Sequence, residues 1–205
     1  MDKLDFKKEY KQLYNPSANF VSVVDVPVFS YIMVDGQGAP DGAEAQQAIE
    51  MLFPLAYAIK FISKGRGKDY GVMPLEGLWW ADDMNDFITN RRDKWKWTYM
   101  IMQPEFITQN DFEEAVRKVQ EKKKDMKLSG VHFDYFAEGK AAQIMHIGPF
   151  SEEHANIQKI HEHIAALGGK FDGLKEKHHE IYLSDMRKVP PSAMKTVLRQ
   201  PFQLV

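Results

Sequence analysis

The runs YIMVDG at residues 31–36 and QIMHIG at residues 143–148 are both short, β-rich and closed by glycine. Each is followed by apolar residues at helical spacing: Ala45, Ala48, Ile49, Leu52, Ala56 and Ile59 after the first run, and Ile157, Ile160, Ile164 and Leu167 after the second. The same strand-to-helix pattern therefore occurs once in each half of the chain, which predicts an internal repeat.

The two copies continue to match beyond their helices. WWAD at residues 79–82 aligns with YLSD at 182–185. Two later β-rich runs, at 99–104 and 196–201, both end in Gln-Pro. Matching elements in the same order support a repeat more strongly than any one short similarity does.

We expect the copies to form one α+β domain over residues 1–205. The two strand–helix–strand–strand units span approximately residues 20–106 and 130–205, and a surface helix near 110–124 joins them. Each unit would supply an antiparallel sheet with its helix on one face, and the pseudo-symmetric units would form a central ligand cleft where they meet. A pair of unrelated α+β segments with similar turns is the alternative.

Polar residues indicate where the two helices should begin. In the first copy, Asp41 followed by Glu44 suggests a capping box. In the second copy, Ser151 is a good N-cap residue. Glu152 and Glu153 would then occupy the first helical turn, where the helix dipole favours acidic side chains.

Composition excludes several classes of protein. Of the 205 residues, 44% are hydrophobic and 27% are charged, and the net charge of −2 gives no general attraction to nucleic acids or anionic membranes. The absence of Cys excludes a disulfide scaffold, a thiolate nucleophile and a Cys-based metal site. Met1–Tyr14 lacks the apolar segment of a signal peptide, and Lys60 interrupts the longest apolar stretch. We therefore expect a cytoplasmic protein with no nucleic-acid or membrane partner.

The strand expected at residues 179–183 places a carboxylate among apolar residues. Alternation puts Ile181 and Leu183 on one face, where they suit packing against a helix, and Glu180 and Tyr182 on the other. The second pair would face the cleft. Burying a carboxylate in such a strand is costly without a partner or a function, so Glu180 is the leading candidate for a site residue.

Aromatic residues are concentrated on the expected strands. The candidates for lining the cleft are Trp79, Trp97, Tyr99, Phe133, Tyr135 and Tyr182. For any one of them, packing in a core is the better explanation. Grouped around one carboxylate, however, such residues suit a flat, apolar or cationic small molecule.

Five motifs resemble those of GyrI-like small-molecule-binding proteins, in the form without an attached DNA-binding domain. They lie at residues 35–40, 74–80, 95–104, 146–150 and 178–185, and the specific ones are PLEGLWW at 74–80 and HHEIYLSD at 178–185. The resemblance covers about Asp5 to Val205. Relatives often have Pro where this chain has Met186, a departure that should alter only a turn.

The resemblance implies paired strand–helix–strand–strand units around a central pocket. In relatives fused to transcription regulators the pocket takes up lipophilic cations and has a Glu at its base, which matches Glu180. Stand-alone relatives include cyclopropanoid cyclopropyl hydrolases, which open the strained ring of DNA-alkylating natural products with a positioned water and a base. Glu180 would then be the catalytic base. The cage would consist of Trp79, Trp97, Tyr99 and Tyr182, with Phe133 and Tyr135 as competing positions.

Glu76 is a second candidate carboxylate for ligand binding. Alternation puts it on the opposite face from Trp79, so we rank it below Glu180.

A small molecule is the expected partner, and we expect neither a metal nor another cofactor. His178 and His179, for example, are adjacent strand residues that point in opposite directions. The residues before Phe20 are too few for a helix-turn-helix. A non-catalytic sequestering or sensing module and a protein-interaction role compete with hydrolysis of xenobiotics.

Overall fold

A computed structural model describes residues 3–205, so Met1 and Asp2, which the single-domain assignment includes, lie outside the described residues. The helices are α1 (Phe6–Glu9), α2 (Lys11–Tyr14), α3 (Ala43–Gly65), α4 (Asn85–Ile88), α5 (Gln109–Lys122) and α6 (His154–Ala166). The strands are β1 (Ser22–Val26), β2 (Phe29–Gln37), β3 (Leu75–Trp80), β4 (Lys96–Gln103), β5 (Val131–Phe136), β6 (Gly139–Ile147), β7 (Gly169–Lys170), β8 (His178–Tyr182), β9 (Lys195–Pro201) and β10 (Gln203–Leu204). The α+β class is confirmed. Across residues 3–205, no helix has the length and apolar character needed to cross a membrane.

Eight strands form one antiparallel sheet in the order β1-β6-β9-β8-β3-β4-β2-β5. Exchanging β1, β2, β3 and β4 with β5, β6, β8 and β9 gives the same order read from the other edge, which is the pattern of a pseudo-two-fold axis between β8 and β3. Each edge strand pairs with the opposite half, because β1 pairs with β6 and β5 pairs with β2. The expected pair of sheets is therefore a single continuous sheet, and the two halves meet at its centre.

The two long helices flank the centre of the sheet on one face. α6 packs against β6 and β9, where Ile160 and Ile164 join a core cluster with Ile144 and Leu198. α3 packs against β2 and β4 and is also covered by α5. We call the face that carries Glu180 the front face. The central strands β3 and β8 form its floor between the two helices.

The opposite face, which we call the back face, is covered by the amino-terminal segment. Tyr14 donates a hydrogen bond to Glu76 of β3 at 3.0 Å, and Arg199 of β9 donates one to the carbonyl oxygen of Leu13 at 2.8 Å. Ile181 is buried on this face. The amino-terminal segment thus spans both halves of the sheet, and the helices of the repeat cover the front face.

Both predicted helix starts are wrong. α3 begins after Gly42, without a side-chain cap, and Glu44 instead accepts a hydrogen bond from the backbone N–H of Gln37 at 3.4 Å. In the second half, Gly148 adopts a positive φ of 143° and residues Phe150–Glu152 form a 3-10 turn. α6 therefore begins at His154, with Glu153 at its N-cap position.

Candidate functional site

The floor of the front face is built by cross-strand pairs between β8, β3 and β4. Glu180 lies opposite Gly77, which in turn lies opposite Tyr99, and His178 lies opposite Trp79. Directly opposed residues in an antiparallel pair project from the same face. The register therefore brings Glu180 together with Trp79 and Tyr99, and places Tyr182 one step along β8.

A chain of hydrogen bonds holds the carboxylate in place. Tyr182 donates its phenolic proton to Oε2 of Glu180 at 2.7 Å, and the indole N–H of Trp79 donates to the oxygen of Tyr182 at 3.1 Å. Burial, and then the negative charge of Glu180, hold the pKa of Tyr182 well above its usual range. The Glu180 side chain is 16% exposed. The carboxyl group is thus held in one orientation and remains accessible to solvent.

Gly77 makes room for this chain. A Cβ atom at this position would lie 3.0 Å from both Nε1 of Trp79 and the hydroxyl oxygen of Tyr182. Such contacts are too close for the two side chains to keep their hydrogen bond undisturbed. The glycine in the middle of β3 therefore allows the polar atoms to meet above the sheet.

Aromatic rings surround the carboxylate on two sides. Tyr99 stands edge-on to Trp79, with ring centroids 5.7 Å apart, and its other neighbour, Trp97, is 4.9 Å away. On the α6 side, Phe150 lies edge-on to Tyr182 at 5.8 Å. Trp97 is fully buried, so it supports the wall from behind. Burial, and then Glu180, raise the pKa of Tyr99 above its usual value.

Glu153 is a site residue that the sequence reasoning missed. It is buried, one of its carboxyl oxygens has no hydrogen-bond partner, and the side chain of Thr196 bonds to the group. Burial, and then the charge of Glu180, raise the pKa of Glu153 to about 9, although the bond from Thr196 acts in the opposite direction. The site therefore brings together two carboxyl groups, and burial with the charge of Glu180 favours the protonated form of Glu153.

His178 completes the polar part of the floor. Its Nε2 lies 3.5 Å from Oε1 of Glu180 and is buried without a hydrogen-bond partner. His161 of α6 is nearby, and burial, followed by the neighbouring His178 and His154, lowers the pKa of His161 to about 4. His161 is therefore neutral at physiological pH.

Three of the candidate residues lie away from this cluster. Glu76 is on the back face, where it accepts from Tyr14 and lies 3.0 Å from Nε2 of His179. Phe133 and Tyr135 are on β5 at the edge of the sheet, where Phe133 stacks on Phe112 of α5 and Tyr135 is 66% exposed. The structure therefore brings together Glu180, Trp79, Trp97, Tyr99 and Tyr182, and adds Glu153 and His178.

Other surface features of the described chain offer less chemistry. A groove of about 510 Å³ runs between α5 and the start of β5, lined by Phe112, Glu113, Val116, Arg117, Gln120, Leu128, Ser129 and Val131. It contains no buried titratable pair. Among residues 3–205, no group of three or more His, Asp or Glu side chains could hold a metal ion.

Comparison with known proteins gives the same architecture. A model of the GyrI-like small-molecule-binding domain matches residues 20–202. An uncharacterised conserved protein from Listeria innocua is 40% identical, with a TM-score of 0.89 over 98% of this chain and 100% of that one. A hydrolase from the same organism is also 40% identical, with a TM-score of 0.86 and the same coverage. The C-terminal domain of EcmrR shares the fold at 10% identity, with a TM-score of 0.57 over 90% of this chain and 98% of that one. No curated protein sequence matches the chain.

Proposed function

Because the chain belongs to the family of GyrI-like small-molecule-binding domains, we propose that the front-face site takes up flat, apolar or cationic xenobiotics and hydrolyses reactive cyclopropanoid alkylators among them. The observation that carries this proposal is the Glu180 carboxylate, hydrogen-bonded by Tyr182 and still 16% exposed beside aromatic rings. In the cell such a reaction would detoxify DNA-alkylating compounds in the cytoplasm.

The aromatic wall supplies affinity for a planar ligand. Trp79, Tyr99, Tyr182 and Phe150 present ring faces and edges around one negative charge. Aromatic rings bind flat ligands by offset or edge-on stacking and bind cations through the negative face of the ring. Because burial and the charge of Glu180 favour the protonated form of Glu153, the site does not require a dicationic ligand.

The reaction needs a base and a bound water. Glu180 would take a proton from a water molecule while the water oxygen bonds to the ring CH₂ of a cyclopropane that is conjugated to a carbonyl. The ring C–C bond breaks, and its electron pair moves through the conjugated system to the carbonyl oxygen, which is then protonated. Holding water and substrate together is itself worth several orders of magnitude in rate, and a positioned base adds about 10²–10⁴-fold.

The relationship to the Listeria innocua hydrolase supports a catalytic role. That protein is 40% identical over 98% of this chain, so the two share a fold throughout. Non-catalytic sequestering or sensing is the second candidate function. The specific observation in its favour is that an aromatic site with one carboxylate would also retain a lipophilic cation without chemistry.

The test compares wild-type protein with Glu180→Gln on a spirocyclopropyl cyclohexadienone, whose conversion to a phenol is followed by absorbance. We expect turnover by the wild type and a loss of at least 100-fold in kcat for Glu180→Gln, with ligand affinity kept within a few-fold. Glu162→Gln, an exposed site on α6, is the matched control and should retain full activity.

Two results would contradict parts of this proposal. Binding without turnover by the wild type would establish the sequestering function instead. Equal turnover by wild type and Glu180→Gln would show that Glu180 is not the base, even if the compound is hydrolysed.

A further inference from the structure

The proposed ring opening makes little use of Glu153. When a conjugated cyclopropane opens, the electron pair is delocalised onto a carbonyl oxygen, and the resulting phenolate is a weak base that can collect its proton from water. A buried, protonated acid beside the catalytic base is more than this reaction requires. Its presence points to a leaving atom that needs a proton as its bond breaks.

We propose that Glu180 and Glu153 together also open aryl-substituted epoxides to vicinal diols, with Glu180 as the base and Glu153 as the acid. This inference rests on the proposed function, since both reactions need a ligand in the same front-face site. An epoxide is a strained three-membered ring like the cyclopropane, but its leaving atom is an alkoxide oxygen, which is strongly basic and requires an acid.

The positions of the two acids suit these roles. Thr196, which bonds to Glu153, is the cross-strand partner of Tyr182, and Tyr182 donates to Glu180 at 2.7 Å. The two carboxyl groups therefore approach the floor from different elements, one from β8 and one from the start of α6. Each keeps an oxygen free of a hydrogen bond: Oε1 of Glu153 is buried and unpartnered, while Oε1 of Glu180 lies 3.5 Å from His178.

The protonation states match the roles as well. Burial and the charge of Glu180 raise the pKa of Glu153 to about 9, so it carries a proton to donate at neutral pH. Pairs of carboxyl groups whose surroundings separate their pKa values are a common way to provide an acid and a base in one site.

The atoms of the reaction balance without an oxidant or reductant. The oxygen of water bonds to the benzylic ring carbon as Glu180 takes one water proton, and the bond from that carbon to the ring oxygen breaks. The ring oxygen takes the proton of Glu153 and becomes the second hydroxyl group of the diol. A proton then passes from Glu180 to Glu153 through solvent, which restores both groups.

The aromatic surroundings favour an aryl substituent. Attack at a benzylic carbon develops positive charge next to the ring, and this charge would lie close to Glu180 and to the rings of Trp79 and Tyr99. An alkyl epoxide of similar size would gain none of this stabilisation. We therefore expect phenyl-substituted epoxides to react faster than alkyl ones.

The experiment uses styrene oxide in ¹⁸O-labelled water, with the diol analysed by mass spectrometry. We expect enzyme-dependent diol carrying the label on the benzylic carbon. Glu180→Gln and Glu153→Gln should each reduce the rate at least 100-fold, while the Glu162→Gln control should not.

A wild-type pH profile provides a test that does not depend on the folding of a variant. Diol formation per folded molecule, with the folded fraction followed by circular dichroism, should fall as the pH rises through about 9, because Glu153 then loses its proton. The groups that act on Glu153 from the packed strands are Glu180 on β8 and Thr196 on β9, and the buried His146 on β6 lies beside them as the cross-strand partner of Thr196. A rate that does not change through this range would overturn the role of Glu153.

The remaining outcomes separate this inference from the proposed function. Turnover of the cyclopropanoid without any diol formation would overturn the inference and leave the proposed function intact. Diol formation alone would support the inference and remove cyclopropanoid hydrolysis as the activity. Diol formation that is equal in Glu153→Gln and wild type would also overturn the inference. Absence of turnover and binding for both compounds would overturn both proposals.

Discussion

The two faces of the central strands carry similar residue types in opposite states. On the back face, His179 lies within 3.0 Å of Glu76 and 2.8 Å of Glu138, and Arg199 bonds to Glu138 at 2.9 Å. On the front face, Glu153 and His178 each keep a buried polar atom without a hydrogen-bond partner. His179 and Glu180 are consecutive residues of one strand. His179 thus belongs to a closed network, in which the buried polar groups have partners, and Glu180 to an open one, in which some do not.

The difference separates a structural role from a chemical one. A buried charge whose partners are all present stabilises one arrangement of the chain, and removing a partner is costly. A polar group with an unused donor or acceptor keeps that capacity for a ligand. Counting satisfied partners distinguishes the two clusters better than burial or residue type.

The largest effect should come from opening the closed network. Arg199→Met removes the partner of a buried carboxylate, so we expect it to lower the free energy of unfolding by about 3–5 kcal/mol in urea denaturation. Lys195→Met, at an exposed position on the same strand, is the control and should change it by less than about 0.5 kcal/mol. A loss below about 1 kcal/mol for Arg199→Met would show that the back-face network contributes little to stability.

The next effect should come from filling the space above β3. Gly77→Ala brings a Cβ atom to 3.0 Å from the Trp79–Tyr182 pair, so we expect a loss of about 1–3 kcal/mol in unfolding free energy and weaker ligand binding. Gly65→Ala at the end of α3 meets no atom within 4 Å and should be neutral or slightly stabilising. Unchanged binding by Gly77→Ala would mean that the ligand does not depend on this arrangement.

The pH dependence of stability should distinguish the two faces. The pKa of Glu153 is raised from 4.5 to about 9, so the folded protein keeps a proton that the unfolded chain loses, and stability falls as the pH rises through this range. The slope contributed is at most about 1.4 kcal/mol per pH unit. In Glu153→Gln this fall is absent between pH 4.5 and 6.5. Urea denaturation should instead find an unfolding free energy that rises with pH in this range, because His161, whose pKa burial lowers from 6.5 to about 4, is protonated there only in the unfolded chain.

The same variant should still lose stability at higher and lower pH. Burial lowers the pKa of His179, but Glu138 and Glu76 together raise it to about 9. Its contribution to stability is therefore complete below pH 6.5 and disappears as the pH rises through 9. Burial opposes the ionisation of Glu138, but His179 and Arg199 lower its pKa to about 2, so its contribution is lost as the pH falls from 4.5 through 2. An unaltered slope in Glu153→Gln would contradict a protonated Glu153.

The smallest effect should follow from removing one hydroxyl group. Tyr182→Phe leaves the indole N–H of Trp79 without its acceptor and Glu180 without its donor, for an expected cost of about 0.5–1.5 kcal/mol in unfolding free energy. Thermal and urea denaturation should agree on this value. Tyr57→Phe, at an exposed position on α3, should leave stability unchanged.

Sequence reasoning predicted what depends on local pattern. Period-two alternation places Glu180 and Tyr182 on the face opposite Ile181, and helical spacing predicts the stripe of Ile160 and Ile164. Glu153 could not be found in this way, because its position depends on where α6 begins. The turn after Gly148 moves the N-cap from the predicted Ser151 to Glu153, a delay of two residues.

Pairing between distant segments could not be predicted from local sequence patterns either. Glu138 and Arg199 meet although they are 61 residues apart in the chain, and Gln12 and Gln143, which share a hydrogen bond, are 131 apart. Nor did alternation indicate that β1 and β5 pair across the halves. Such contacts are decided by the packing of the whole molecule.

The crossed edge strands have a consequence for how the protein comes apart. Since β1 completes the sheet of the later half and β5 that of the earlier half, the arrangement is that of a domain-swapped dimer contained in one polypeptide. Neither half can detach while keeping all of its own strands paired. Denaturation should therefore proceed as one cooperative event, with the residues of the front-face site staying together until the whole sheet is lost.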